Sequence, residues 1–384
     1  MAVAAPVREF LSRMADVEPR PQVARRAHMV TMLLGLWTMF GVFLDGWAHS
    51  TIIDTLEGFF TPWHAVLYSG FTAVAVWVSY QATRFQAKGS FDAAKIPTGY
   101  GLALIGVAIF GANAVGDAIW HTVFGIEEGA ESLLSPTHLG LFVGMSLILT
   151  APLRAAWHSD TVSAPSFRSF LPALLSLALT TAGIAFFLMY LSPLNEQWAR
   201  ADWQAWAGRV GEDMIKTTQE HGVGGILAST VILLAPLLVA LRRWELPFGS
   251  VTFVATIVGV GLIAMEGFIG IALVLSYVLG GLAADAAARR LRPGPDNVIG
   301  FRVFAAAVPA FMWSLYFGVM QVAYGVGWVV EFWAGAIVLS SIVGFALAYV
   351  MTLPAAPRVP GAAGKLVQRN WQDNDGNKRQ TVEI

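Results

Sequence analysis

Runs of about 20 apolar residues recur from Met29 to Met351, separated by short segments in which the polar and charged residues gather. A helix rises about 1.5 Å per residue, so each run is long enough to cross a hydrocarbon core of about 30 Å. The pattern predicts ten transmembrane helices, at 28–48, 61–81, 99–121, 135–156, 168–190, 222–241, 247–265, 267–288, 299–322 and 326–352; only Glu266 and its neighbours divide the seventh from the eighth. With 56% hydrophobic and 13% charged residues, the chain reads as an all-α, polytopic integral membrane helical bundle.

Charge then orients the helices. Every Lys and Arg except Arg200, Arg209 and Lys216 falls on the side of the N-terminus. By the positive-inside rule both termini are cytoplasmic, and the chain sits in the inner, cytoplasmic membrane with lipid around it. The net charge of −1 says little beside that distribution, and no nucleic-acid partner is expected. Residues 1–27 read as an arginine-bearing cytoplasmic leader rather than a cleavable signal peptide, 28–156 as a four-helix region, 157–353 as six further helices, and 354–384 as a polar cytoplasmic tail. In the long outer segment, Trp203, Trp206, Val210 and Met214 fall at helical spacing and predict an amphipathic helix near 200–220, lying on the outer interface.

Chemistry collects at the outer ends of the first four helices. Asp45-Gly-Trp-Ala-His49 and Asp117-Ala-Ile-Trp-His121 share the form D-x-x-x-H. FFTPWHAVLYSG (59–70) matches LLSPTHLGLFVG (133–144) in a Ser/Thr-Pro-x-His, a Leu, an aromatic and a Gly. The four-residue spacing puts Asp and His on one helix face, with Cβ atoms about 5–6 Å apart. Thr61 and Ser135 are N-cap residue types followed by Pro, which places His64 and His138 in the first turn of the next helix. Each hairpin therefore gathers one Asp and two His, and the repeat predicts two metal sites: Asp45, His49 and His64, then Asp117, His121 and His138. A lone His near a helix end is more often an interfacial hydrogen-bonding residue. Four of the seven histidines in two matched triplets, where ionisable groups are costly, favour metal. The absence of cysteine excludes thiolate and iron–sulfur ligation; nitrogen and oxygen ligands suit copper, zinc, iron or manganese, and imidazole-rich sites tilt toward copper and zinc.

Other polar residues surround these triplets. Asn113 lies one turn before Asp117, and Glu127, Glu128 and Glu131 stand in the second hairpin loop; all four are candidates to orient the ligands, against the plainer reading of a buried amide and a solvated acidic loop. His221 and Glu266, near outer helix ends, are further candidates, with simple capping as the plain reading of His221. Asp285 precedes Arg289 by four residues and reads as half of an ion pair.

DGWAH (45–49), FFTPWH (59–64), NAVGDAIWHTVF (113–124), the Glu127-Glu128 pair and SPTHLGLFVG (135–144) together resemble the copper-binding, all-membrane subunit of the particulate methane and ammonia monooxygenases, the copper membrane monooxygenase family. The resemblance covers about 45–144. It implies copper at Asp45, His49 and His64, and a second site at His121 and His138 where Asp117 replaces the family's Asn. It also implies partner subunits or a homo-oligomer, a trimer in that family. The intervals between second and third ligands are longer here, and the last six helices have no counterpart in the resemblance. The expected function is a copper-dependent membrane oxidase or monooxygenase that activates O2 at an outward-facing site to oxidise a small apolar substrate. The residues alone also accommodate a protein for copper or zinc uptake and delivery, or a non-catalytic assembly subunit whose metal is structural.

Overall fold

A computed structural model describes residues 20–52, 59–125, 130–159 and 163–353, and among them every regular element beyond isolated bridges is a helix. Helices α1 (Arg25–Thr51) and α2 (Pro62–Thr83) pack as one hairpin, and α3 (Tyr100–Phe124) and α5 (Pro136–Leu149) as a second, with the single turn α4 (Glu131–Leu134) leading into α5. The chain continues through α6 (Ala151–Trp157), α7 (Phe167–Phe187), α8 (Ala201–Val210), α9 (Glu212–Leu241), α10 (Ser250–Met265), α11 (Val274–Leu291), α12 (Val298–Ala323) and α13 (Val330–Met351).

Among the described residues, seven helical segments are long and apolar enough to cross a membrane: α1, α3, α7, α9, Ile271–Leu291 (which contains α11), α12 and α13. The predicted span at 135–156 is α5 and α6 together, bent by 42° between them. The cause is Pro152, which offers no N–H and whose ring crowds the carbonyl of Ile148. Arg154 braces the loosened turn, donating to Leu147 O at 2.9 Å and Gly99 O at 2.7 Å. The remaining two predicted spans are helices of a different grade: α10 has 16 residues, and α2 carries His64, Tyr68 and Gln81 among its 22.

Two local expectations change. The amphipathic helix forms with Trp203, Trp206 and Val210 exposed, but it stops at Val210 because Gly211 takes φ +143°, and Met214 belongs to α9. Asp285 makes no pair with Arg289. It accepts hydrogen bonds from Val251 N (3.1 Å), Thr252 N (3.0 Å) and Thr252 Oγ1 (2.6 Å), capping the otherwise unpaired N–H groups of α10, while Arg289 lies over the Phe248 ring at 4.1 Å.

Helix α7 is the most enclosed of the candidate spans, 72% buried, and this makes it the partition of the bundle. On one side Leu179 packs with Met32, Met39 and Leu149 of the two hairpins; on the other, Leu174, Leu177 and Ala178 join Leu234, Leu238 and Val254 of α9 and α10.

Within each hairpin glycines, Gly41 and Gly70 in the first and Gly106 and Gly144 in the second, bring the two helices into backbone contact. A Cβ on Gly70 would lie 2.8 Å from Thr38 N, and one on Gly144 would lie 2.6 Å from Phe110 N, so the helices touch backbone to backbone there. Thr38 stands seven residues before Asp45 and Phe110 seven before Asp117; His64 and His138 stand six before their glycines. Because paired helices run in opposite directions, both ligands lie about 9–10 Å from the glycine contact, at one level. Gly144→Ala is expected to lower stability by about 1–3 kcal/mol through overpacking, whereas Gly318→Ala, with open space around its Cβ position, leaves stability unchanged or raised; thermal unfolding of the purified protein compares them.

Candidate metal centre

The sequence pattern at the start of α2 and α5 translates directly into geometry. Thr61 Oγ1 accepts from His64 N at 3.1 Å and Ser135 Oγ from His138 N at 3.3 Å, each with Pro at the first helical position. The caps hold both histidines in the first turn, facing the aspartate of the preceding helix. His64 Nε2 lies 3.4 Å from Asp45 Oδ1, and His138 Nε2 lies 3.0 Å from Asp117 Oδ1. Along the helices, His49 Nε2 is 3.8 Å from Asp45 Oδ2 and His121 Nε2 is 3.6 Å from Asp117 Oδ1. The two hairpins thus present the same Asp-His-His arrangement twice.

The hairpins also bring these two arrangements against each other. The rings of His49 and His121 stack with centroids 6.4 Å apart, and those of His64 and His121 are 6.1 Å apart. Two sets have all their ligand atoms within 4.8 Å of one another: Asp45, His49 and His64, as expected, and His64, Asp117 and His121. His64 therefore belongs to both, and His138 lies on Asp117 with its ring 5.5 Å from that of His121. The two triplets adjoin, with His64 and His121 at their junction.

Backbone carbonyls orient three of the four imidazoles. His64 Nδ1 meets Phe59 O at 2.5 Å, His121 Nδ1 meets Gly125 O at 3.3 Å, and His138 Nδ1 meets Ser132 O. A carbonyl only accepts, so Nδ1 carries the hydrogen and the Nε2 lone pair is turned toward the carboxylates. This is the arrangement by which proteins fix the tautomer of metal-ligating histidines. Asp45 Oδ1 is buried and accepts no hydrogen bond among the described residues, a costly state for a carboxylate oxygen that a cation would relieve. Nitrogen and oxygen donors of this kind fit copper or zinc.

Asp117 is 1% exposed and is held by two hydroxyls that the ligand motifs do not include: Tyr68 Oη donates to its Oδ2 at 2.9 Å and Thr137 Oγ1 to its Oδ1 at 3.0 Å. Tyr68 is the matched aromatic of the repeat, so its position is visible in the sequence but the use of its hydroxyl is not. Asn113, by contrast, does not orient Asp117. Its Nδ2 donates to Ile109 O in its own helix at 2.8 Å, and its side chain fills the space left by Gly140, where a Cβ would lie 2.0 Å from Asn113 Oδ1. Glu127 and Glu128 lie outside the described residues, and Glu131 opens α4. His221 is exposed on α9, bonded to Thr217 O at 2.8 Å, away from the cluster.

A cavity of about 350 Å³ adjoins the cluster, lined by Asp45, His49, His64, Asp117 and His138 and also by Asn195, Glu196 and Glu266. Asn195 Nδ2 donates to Glu266 Oε1 at 3.2 Å and to Leu262 O at 3.0 Å. Burial, with Glu266 beside it, pushes the Glu196 carboxyl up from the usual range, and His221 pulls it partly back. Away from the polar groups the lining is apolar.

Two measurements follow. Tyr68→Phe keeps the ring but removes one donor to Asp117, and affinity for Cu(II), read by competition with a chromogenic chelator, is expected to fall about 10–100-fold. Glu196→Gln tests the polar lining. A carboxyl whose folded pKa is raised is neutral in both states well below pH 4.5, and its ionisation disfavours the fold as pH rises above that value. The variant should match wild type in Tm at acidic pH and exceed it at neutral pH. No family model, no curated protein and no solved structure matches this chain, so the candidate centre stands on its own geometry.

Proposed function

We propose that the chain is a copper-dependent membrane oxidase or monooxygenase, or the metal-binding subunit of one, of the kind the resemblance to the methane and ammonia monooxygenases implies. On this reading all ten predicted helices are embedded, both termini are cytoplasmic, and the cluster faces the extracytoplasmic side of the inner membrane. The observation that carries the reading is the junction of a histidine and aspartate cluster, its imidazoles turned inward by backbone carbonyls, with a largely apolar cavity.

Asp45, His49, His64, Asp117, His121 and His138 would hold copper. Copper when bound supplies the redox chemistry: O2, two electrons from a donor and two protons give one oxygen atom inserted into a substrate C–H bond and one molecule of water. The chain's own residues do the rest. Tyr68 and Thr137 hold the Asp117 carboxylate at a set angle. Phe59, with its ring centroid 4.6 Å from that of His64 and 6.1 Å from that of His121, packs over the imidazoles and excludes water from that face. The apolar lining admits a substrate without polar groups and keeps bulk water from it.

Uptake or delivery of the metal would require polar groups along a path through the bilayer. From Arg26 to Asp45 helix α1 carries no other carboxylate, and the deep lining of the cavity is Met39, Leu141, Met145 and Leu149 rather than ionisable residues. The test is metal content and the Cu(II) EPR spectrum of wild type, Asp45→Ala and Asp117→Asn protein purified with copper. Loss of copper in Asp45→Ala and an altered spectrum in Asp117→Asn are expected; unchanged stoichiometry in both would sink the proposal. If removing copper lowered Tm without abolishing any O2-dependent activity, the metal would be structural.

A further inference from the structure

The cavity is far larger than a small gaseous substrate needs, and its shape is legible from the helices that line it. On α5 the lining runs from His138 to Leu149, and on α1 from Met39 to Ser50. Both intervals are eleven residues, which at about 1.5 Å per residue is about 16 Å along the helix axis. The His and Asp residues occupy one end of this length, and Met39, Met145, Ser146, Leu149 and Thr180 occupy the other.

We propose that the cavity binds a linear, medium-length hydrocarbon chain end-on, with one terminus at the His/Asp cluster and the rest extended toward Leu149. Length and volume agree on its size. A zigzag of carbon–carbon bonds of about 1.5 Å needs roughly a dozen carbons to span about 16 Å. A volume of about 350 Å³ holds roughly a dozen groups at about 30 Å³ each. Such a volume is at the scale of pockets for molecules of many atoms, not of one or two. Helix α7 closes the long side of the chamber through Thr180, Gly183, Phe186 and Phe187. The second half of the chain thereby acquires a role: by backing α7 it bounds the chamber along its length.

Gly183 is the specificity-determining position. It lines the cavity at mid-depth, and a Cβ added there would meet only Met39 and Phe142 side-chain atoms, at 3.7–4.0 Å, which is ordinary contact. A methyl group is accommodated, whereas a longer side chain would project into the chamber and shorten it.

This inference rests on the cavity being the substrate chamber of the proposed enzyme, and its test reads binding rather than turnover. Protein in nanodiscs of a single phospholipid would be exposed to a series of n-alkanes, and the rise in Tm recorded against chain length, since a ligand of the folded state alone raises Tm. The expected result is a rise that grows with length to about ten to twelve carbons and then falls. Gly183→Ala should keep that profile, and Gly183→Leu should move its maximum to markedly shorter chains. Ser146→Leu, at the deep end, should shorten it less and guards against a folding defect in Gly183→Leu. A length-independent response, or one profile for all variants, would overturn the proposal. So would a tightly held phospholipid, found by mass spectrometry at one per chain, that alkanes fail to displace: the acyl chain would then be the resident. Because copper content is measured separately, loss of alkane binding with copper retained defeats this inference alone, and alkane binding in a chain that never takes up copper defeats the proposed enzyme instead.

Discussion

Two backbone contacts at glycine govern the arrangement of everything else. Gly70 against Thr38 and Gly144 against Phe110 bring helices together more closely than any side chain would allow. In a membrane, where apolar surface gains nothing by leaving lipid, such close packing is a principal source of helix association. Each contact also fixes the sliding position of one helix on its partner. Six or seven residues further on, the Asp of one helix and the His of the other arrive at the same level, and the N-caps at Thr61 and Ser135 complete their orientation.

The duplicated hairpin carries this arrangement twice, but the copies differ where they are not constrained by it. Gly41 in the first hairpin lies against Leu67, while at the matching place in the second a bulky Asn113 lies against Gly140. The first pair meets backbone to backbone, the second through the Asn113 side chain. The two aspartates also differ in environment: Asp117 is buried with Tyr68 and Thr137 as donors, whereas Asp45 is partly open and has an oxygen without a hydrogen bond among the described residues. Two hairpins alike in motif thus build an asymmetric cluster in which His64 is shared.

The larger, later part of the chain contributes no histidine to this cluster, yet it bounds the working space. Helix α7 is the most enclosed span, and Ala182 and Ala185 on it pack into a core that α9, α10, α11 and α12 build around Trp313, Tyr316 and Tyr277. That core backs α7, and the segments that follow α7 and α10 carry Asn195, Glu196 and Glu266, which line the same cavity as the imidazoles.

Much of this is legible in the sequence. Periodic apolar runs announce the helices because bilayer thickness demands about 20 residues regardless of neighbours, and the D-x-x-x-H and Ser/Thr-Pro-x-His motifs locate six candidate ligands because i, i+4 spacing and N-capping are local geometry. The bend at Thr150 follows from Pro152 but is hidden within a continuous apolar run, and the break at Gly211 depends on a backbone angle that no periodicity records. The adjoining of the two triplets, the hydroxyls on Asp117, the packing role of Asn113 and the long cavity all involve residues from helices far apart in sequence. The chain alone determined which residues could bind and at which helix ends they stand; only the tertiary packing decided which of them meet, because the meeting is set by how closely particular backbones approach.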